Sequence, residues 1–386
     1  MRPLQGIRVL DLSRLLPGPF ATLVLADLGA TVDKIEDTAG GDYLRLMPPQ
    51  IAGESVGFQL LNRGKRSAVL DLKKPEGRVA MKRLVASYDV LFDQFRPGVL
   101  ARLGLRHEDL RAENPRLIVC ALTGYGQTGP LAQRAGHDID YLARSGILGA
   151  QGPAGAAPQV PGFQLADVSG GMWCVIAVQA ALAERARTGV GAILDIAMTD
   201  GVLGFACMAV GAGLSGLPVQ RGDDLLTGAL APYGTYLASD GLPVALGALE
   251  PKFWTAFCAG AGIEPDMAAL FPGPHQAAIK ARLVALFASK TRDEWARFGA
   301  AHDCCVEPVL APAEIAADPH LAARGLFFSL PTPRGDVPQF RTPVTPRDEQ
   351  FAPPPRLGEH TRAVLRDGGF AEGEIDALVQ AGAARE

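Results

Sequence analysis

The chain has 386 residues, 48% hydrophobic and 20% charged, with a formal net charge of −4. Those proportions exclude a disordered chain, and without any long single-sign block they leave no electrostatic footprint for sequence-independent nucleic-acid binding. The length favours two domains, the early charges of MRPLQGIRVLDLS leave no room for a secretory signal, and the six cysteines, with no CxxC spacing, read as reduced thiols of a cytoplasmic protein.

In chain order, GIRVLDLS from Gly6 reads as a strand, PFATLVLADLGA as a helix closed by a glycine, and TVDKIE as a second strand. The rhythm repeats with the strand SAVLDL (67–72), the helix GRVAMKRLVASY (77–88), the strand DVLFDQF (89–95), a short helix around VLARLG and the strand RLIVCALTGYG (116–126). Such alternation predicts a parallel sheet covered by helices on both faces. A glycine-rich loop (149–163), a long apolar helix from about Gly170 to Arg185 and the strand AILDIAM follow. Residues 1–205 are therefore expected to form a large Rossmann-like α/β domain, with 206–230 as a linker. Residues 231–326 are expected to form a smaller α+β domain, opening with a hairpin in GTYLASDGLPVALGALE. The proline-rich segment 327–386 should be an extended return linker and a C-terminal segment packing on the large domain, with a last helix near 372–382. The uncharged stretch 201–219 just reaches bilayer-spanning length, but its glycines and terminal proline suit a buried helix running into the linker.

A doubly wound sheet binds its ligand beyond the carboxyl ends of its strands, which makes Arg14, Lys34, Arg63, Lys65, Arg66 and Arg96 the first candidates to hold an anion. No GxGxxG follows the first strand and no GxxxxGK[ST] occurs anywhere, so neither a standard dinucleotide site nor a P-loop is indicated. Any phosphate would rely more on side-chain cations. NRGKRS (62–67) concentrates three of them beside a glycine, although taken alone a solvated turn is the plainer account. In GHDIDYLARSG, His137 and Asp138 open a helix after Gly136; in QLADVSGG, Asp167 opens another, just before a glycine pair. Either aspartate could be a simple helix cap. An imidazole and a carboxylate on opposite sides of one substrate carbon would suffice to take a proton and return it. Neither GxSxG nor HExxH is present, which argues against a serine hydrolase and against a metal site.

The ordered series LQGIRVLDLSRLLPGPFATLVLADLGATVDKIE, LNRGKRSAVLDLK, FRPGVLARLGL, TGYGQTGP, GHDIDYLARSG, ADVSGG, GALEPKFW and PHLAARGLF resembles the class III CoA-transferase (CaiB/BaiF) superfamily, and within it the alpha-methylacyl-CoA racemases. The resemblance runs through nearly the whole chain. It implies two chains threaded into an interlocked homodimer, and an acyl-CoA thioester as substrate in place of a permanently bound cofactor or metal. It also implies that Lys34, Arg63, Lys65, Arg66 and Arg96 hold the ADP portion of CoA; Arg14 and Tyr141 complete the candidate CoA-binding set. His137 and Asp167 correspond to the two bases that flank the α-carbon of a 2-methylacyl-CoA in the racemases, epimerising it through an enolate. Asp138 corresponds to an acid that orients them, and Glu250 to one that reaches in from the small domain of the partner chain. Backbone amides at a helix N-terminus would meet the enolate oxygen. In the transferases the carboxylate matching Asp167 is instead a nucleophile, which moves CoA from a thioester to a free carboxylic acid. A non-catalytic CoA-thioester-binding protein is the third reading. Two residues depart from the racemase pattern: Asp140 stands where asparagine is usual, and Asp37 stands where an arginine is expected near the CoA phosphates.

Overall fold

The structure, a computed structural model, describes residues 2–51, 53–332 and 335–386. The chain divides into two compact units, the first comprising Met1–Ser145, Pro161–Phe205 and Pro319–Glu386, the second Gly146–Val160 and Ala206–Asp318. The glycine-rich loop thus groups largely with the second unit, and residues 319–326 with the first.

In the first unit, β1 (Arg8–Asp11), β2 (Thr31–Glu36), β3 (Arg66–Leu70), β4 (Val90–Asp93), β5 (Ile118–Thr123) and β6 (Ile193–Ala197) form a parallel sheet in the order β3-β2-β1-β4-β5-β6. The strand Ala384–Arg385 adds an antiparallel edge beside β3. Every residue of β4 and β5 is buried, which is why both read as unbroken apolar runs and not as alternating ones.

Four helices position the site: α1 (Pro17–Asp27), α2 (Asp138–Arg144), α3 (Leu165–Thr188) and α4 (Met198–Leu203). Proline at the start of α1 costs no hydrogen bond, and Gly189 ends α3 in the left-handed conformation that a side chain would resist. Helix α3 begins at Leu165, five residues before the apolar run suggests, and so includes Asp167 in its first turn. The glycine pair lets it pack closely. A Cβ on Gly171 would stand 2.6 Å from the Pro17 carbonyl oxygen, and one on Gly170 would stand 2.6 Å from Cγ of Met198. Among the described residues α3 is the one helix long and apolar enough to cross a membrane; Cys174, Val178 and Ala181 on it are buried within the protein.

Two expectations need correction. The stretch 201–219 is not a buried helix: α4 ends at Leu203, a separate helix spans Cys207–Leu214, and Met208 and Leu214 are 75% and 85% exposed. The proline-rich return is not only a linker either, since its extended segments Phe327–Thr332 and Gly335–Phe340 pair antiparallel. A two-stranded ribbon leaves each strand one unpaired edge, where Pro331 and Pro338 cost no ladder bond. Farther on, Glu372–Gln380 forms the last helix.

The second unit carries a three-stranded antiparallel sheet, Val306–Pro308, Pro243–Gly247 and Tyr233–Leu237, with helices Pro251–Ala261, Gln276–Phe287 and Arg292–His302. Its core is aromatic, with the Phe287 and Trp295 rings 4.5 Å apart and Phe257 stacked on Trp254.

Candidate active site

β1 and β4 are neighbours, yet the chain leaves β1 towards β2 and β4 towards β5, so the loops at their carboxyl ends diverge. Such a switch point opens a crevice. Here it is a cleft of about 480 Å³, bordered by Arg14, Gln94, Arg96, Tyr141, His137 and Asp167. A second cavity of about 210 Å³ lies at the ends of β1, β2 and β3, and Arg14, Phe95 and Val99 wall both. The two cavities are neighbours across these shared residues, and the pair is termed the trough.

His137 is the N-cap of α2, exposed, with its backbone amide donating to Oδ2 of Asp140 at 2.9 Å. The departure at 140 therefore has a structural use, since a carboxylate at the third helical position closes the helix end from which His137 projects. The Tyr141 hydroxyl donates to the Gly136 carbonyl at 2.6 Å, and its ring meets Tyr125 edge-on at 5.1 Å. A Cβ on Gly136 or Gly124 would collide with that ring. The turn that presents the imidazole is thereby fixed from below.

Asp138 reaches to α3. Its Oδ1 accepts the backbone amides of Ala166 and Asp167 at 2.7 and 3.0 Å, replacing a cap that Gln164 does not supply. These two amides are committed, so the α3 N-terminus offers neither of them to an enolate oxygen. The Asp167 carboxyl is half-buried and pushed up to about 7, by burial first and by the neighbouring Asp138 charge second. A first-turn position stabilises a carboxylate by about 0.3–1 kcal/mol. Burial and Asp138 outweigh it, and the acid is poised near neutrality.

The expected CoA-binding cations divide sharply. Lys34 is buried, paired with Asp42 at 2.9 Å and donating to the Ser13 carbonyl at 2.6 Å. Lys65, also buried, donates to Thr22, Asn62 and the Pro19 carbonyl, with Asp11 at 3.7 Å. Arg63 is held by Asp27 at 2.6 Å and by Gln339 at 3.2 Å, while Arg66 spans Asp33 and Asp367. Lys34, Arg63 and Lys65 are buried and engaged as internal braces, and none of the four borders the trough. Arg14 and Arg96 do border it, and among the described residues neither guanidinium has an ion-pair partner; Arg14 lies between the Tyr43 and Phe95 rings.

Two further cations escape a reading based on strand ends. Arg134, three residues before His137, lines the larger cleft, and Lys73, in the loop after β3, lines the smaller. Lys73 stands as close to the end of its strand as Arg14 and Arg96 do to theirs, and the sequence reading simply passes it over, whereas Arg134 lies well beyond the end of β5, outside the stretch that a strand-end reading inspects. Asp37 closes its own loop by accepting the amides of Ala39 and Gly41 at 2.9 and 3.1 Å. Glu36, at the end of β2, is saturated by Arg45, Ser67 and the Asp42 amide, leaving no free acceptor there for a ribose hydroxyl. Glu250 is exposed at the N-cap of Pro251–Ala261 in the second unit. No three His, Cys, Asp or Glu side chains gather into a metal-holding group among the described residues.

A Rossmann-type sheet with a switch-point trough, ringed by cations and carrying a histidine and a near-neutral carboxyl, is a small-molecule enzyme site. The chain belongs to CoA-transferase family III, the CaiB/BaiF family, whose family model matches residues 4–361. It is 38% identical to the alpha-methylacyl-CoA racemase of Homo sapiens over 96% of this chain and 95% of that protein. It is also 36% identical to the succinate–glutarate CoA-transferase of Agrobacterium fabrum, over 95% of each chain. The crystal structure of a CaiB/BaiF family protein from Brucella suis superposes with a TM-score of 0.82 at 34% identity, covering 95% of this chain and 99% of that one. Racemases and CoA-transferases both stand among the relatives, and this chain is an enzyme of one of those two kinds.

Proposed function

We propose that the protein epimerises the α-carbon of a 2-methylacyl-CoA by two-base proton transfer. The observation that carries this reading is that His137 and Asp167 line one cleft, with the Asp167 carboxyl poised at about 7. In one direction the His137 imidazole takes the α-proton and the protonated Asp167 returns one to the opposite face; in the other direction the roles reverse. A carboxyl near neutrality serves as acid and as base within the same pH range, which a reversible reaction requires. Arg14, Arg96, Arg134 and Lys73 supply the positive charge along the trough for the nucleotide end of the thioester. Tyr141 is assigned to the loop that presents His137, and Asp138 to the orientation of α3.

We also propose that two chains form the interlocked homodimer implied by the family resemblance, with Glu250 contributed across it. Support comes from the apolar face of α3, where Met172, Trp173 and Ile176 are 43%, 39% and 52% exposed.

The similarity to CoA-transferases favours a second reading, in which ionised Asp167 attacks the thioester carbonyl. Its raised pKa works against that role below about pH 7. One experiment separates the two: incubate the protein with a 2-methylacyl-CoA in D₂O, without an acceptor acid, and follow the α-proton by NMR. Exchange that falls about 10²-fold or more in His137→Ala and Asp167→Ala supports epimerisation. No exchange, with CoA appearing on an added carboxylic acid, would establish the transferase.

A further inference from the structure

Gln94, the first residue after β4, lies at the switch point, where its side chain closes the start of α1. Its Oε1 accepts the Gly18 amide at 3.1 Å and the Arg14 amide at 3.4 Å. Both neighbours are N–H donors, so only the oxygen of the amide can face them. The Nε2 is thereby aimed away from the helix, and among the described residues it has no hydrogen-bond partner. It lines the same cleft as His137 and Asp167, and not the smaller cavity at the ends of β2 and β3. The amide cannot turn over without setting two N–H groups against its own NH₂. The loop below is held as well, because Asp93 accepts the Phe95 amide at 2.8 Å and pairs with His107 at 2.8 Å.

We infer that Gln94 is a substrate-binding residue: its fixed Nε2 donates a hydrogen bond to a carbonyl oxygen of the ligand's thioester arm. The position suits an acceptor. With the α3 amides of Ala166 and Asp167 already committed to Asp138, the cleft needs its neutral donors from elsewhere. Arg14, on the same amide cap, lies next to it on the wall shared with the smaller cavity, so the arm would pass Gln94 on its way from the cationic end of the trough to the two bases. This inference rests on the CoA-thioester reading above.

The test uses two variants of the full chain and two probes, acetyl-CoA and adenosine 3′,5′-diphosphate, with affinity by calorimetry and Tm by thermal melt. Gln94→Glu keeps the acceptor for the Gly18 and Arg14 amides but turns the donor into an acceptor. It should retain the wild-type Tm, lose roughly tenfold or more in acetyl-CoA affinity, and bind the diphosphate as before. Gln94→Met keeps the shape but removes both functions, and should lose affinity and Tm together. Wild-type acetyl-CoA affinity in Gln94→Glu would reduce Gln94 to a helix cap and overturn the inference. An equal loss for both probes would do the same, since it would reflect only an added negative charge. Failure of the unaltered protein to bind either probe would instead overturn the CoA reading itself.

Discussion

Asp138 and Asp167 form a pair in which one carboxylate shapes the other twice, by holding its backbone amide and by its charge. Asp138→Asn separates the two effects, because an amide oxygen can still accept from Ala166 and Asp167 while the charge is gone. Burial, the larger cause, would remain, so the Asp167 pKa should fall from about 7 without reaching an ordinary aspartate value. Where Asp167 is the base, the rate rises as pH passes upward through that pKa. The limb should therefore move to lower pH in the variant, read from α-proton exchange against pH, and an unmoved limb would remove Asp138 from the electrostatics of the site. The cations allow a second contrast. Arg63→Ala would leave the Asp27 charge buried and unpaired, a loss of about 3–5 kcal/mol, so its Tm should collapse. Arg96→Ala, on an exposed side chain, should leave Tm unchanged and weaken CoA binding. Sequence supplied both arginines as candidates of equal rank. Charge type and proximity to a strand cannot tell a ligand-facing cation from a brace, because the decision lies with acids on other elements: Asp27 for Arg63 and Asp11 for Lys65, both distant in the chain, and Asp42 in the loop after β2 for Lys34. His137 and Asp167 both read as lying near helix starts, and they stand at the N-cap of α2 and in the first turn of α3.

Among the elements, α3 matters most, since it carries Asp167 on its first turn and meets α1 through a glycine. Gly171→Ala would bring a Cβ within 2.6 Å of the Pro17 carbonyl, a backbone atom that cannot swing aside. Overpacking of that kind costs about 1–3 kcal/mol, and it would tilt the N-terminal end of α3 away from the cap that Asp138 provides. A lowered Tm should accompany at least a severalfold drop in turnover, while Gly373→Ala, on a helix with open space beside it, should change neither. The strands of the main sheet were readable from apolar runs of the right length. The Phe327–Phe340 ribbon was not, because its prolines signal an extended tail unless the partner strand is known. The helix boundary at Leu165 was hidden for a related reason: its cap comes from Asp138, on another element.

At the level of the whole molecule, the unexplained feature is the uncovered apolar stripe of α3. Met172 and Ile176 are one turn apart, Trp173 lies beside them with its indole N–H spent on the Gly201 carbonyl at 2.8 Å, and Val190 and Ile193 are exposed farther along the same unit. A monomer would leave this surface in water at roughly 25 cal/mol for each square ångström of apolar area, and β6 would remain an open sheet edge beside it. Pairing of two chains across the stripe would take that apolar surface out of water. The unaltered protein should therefore sediment at twice the mass of one chain. Met172→Asp together with Ile176→Asp, which places charges on the stripe without touching the trough, should leave single chains after refolding from denaturant, the step at which threaded chains can part. Because the proposal draws Glu250 from the partner chain, α-proton exchange should fall with the dimer even though His137, Asp138 and Asp167 are intact. A double variant that is monomeric yet fully active would separate assembly from catalysis, and would require all the acid–base groups of the reaction to come from a single chain.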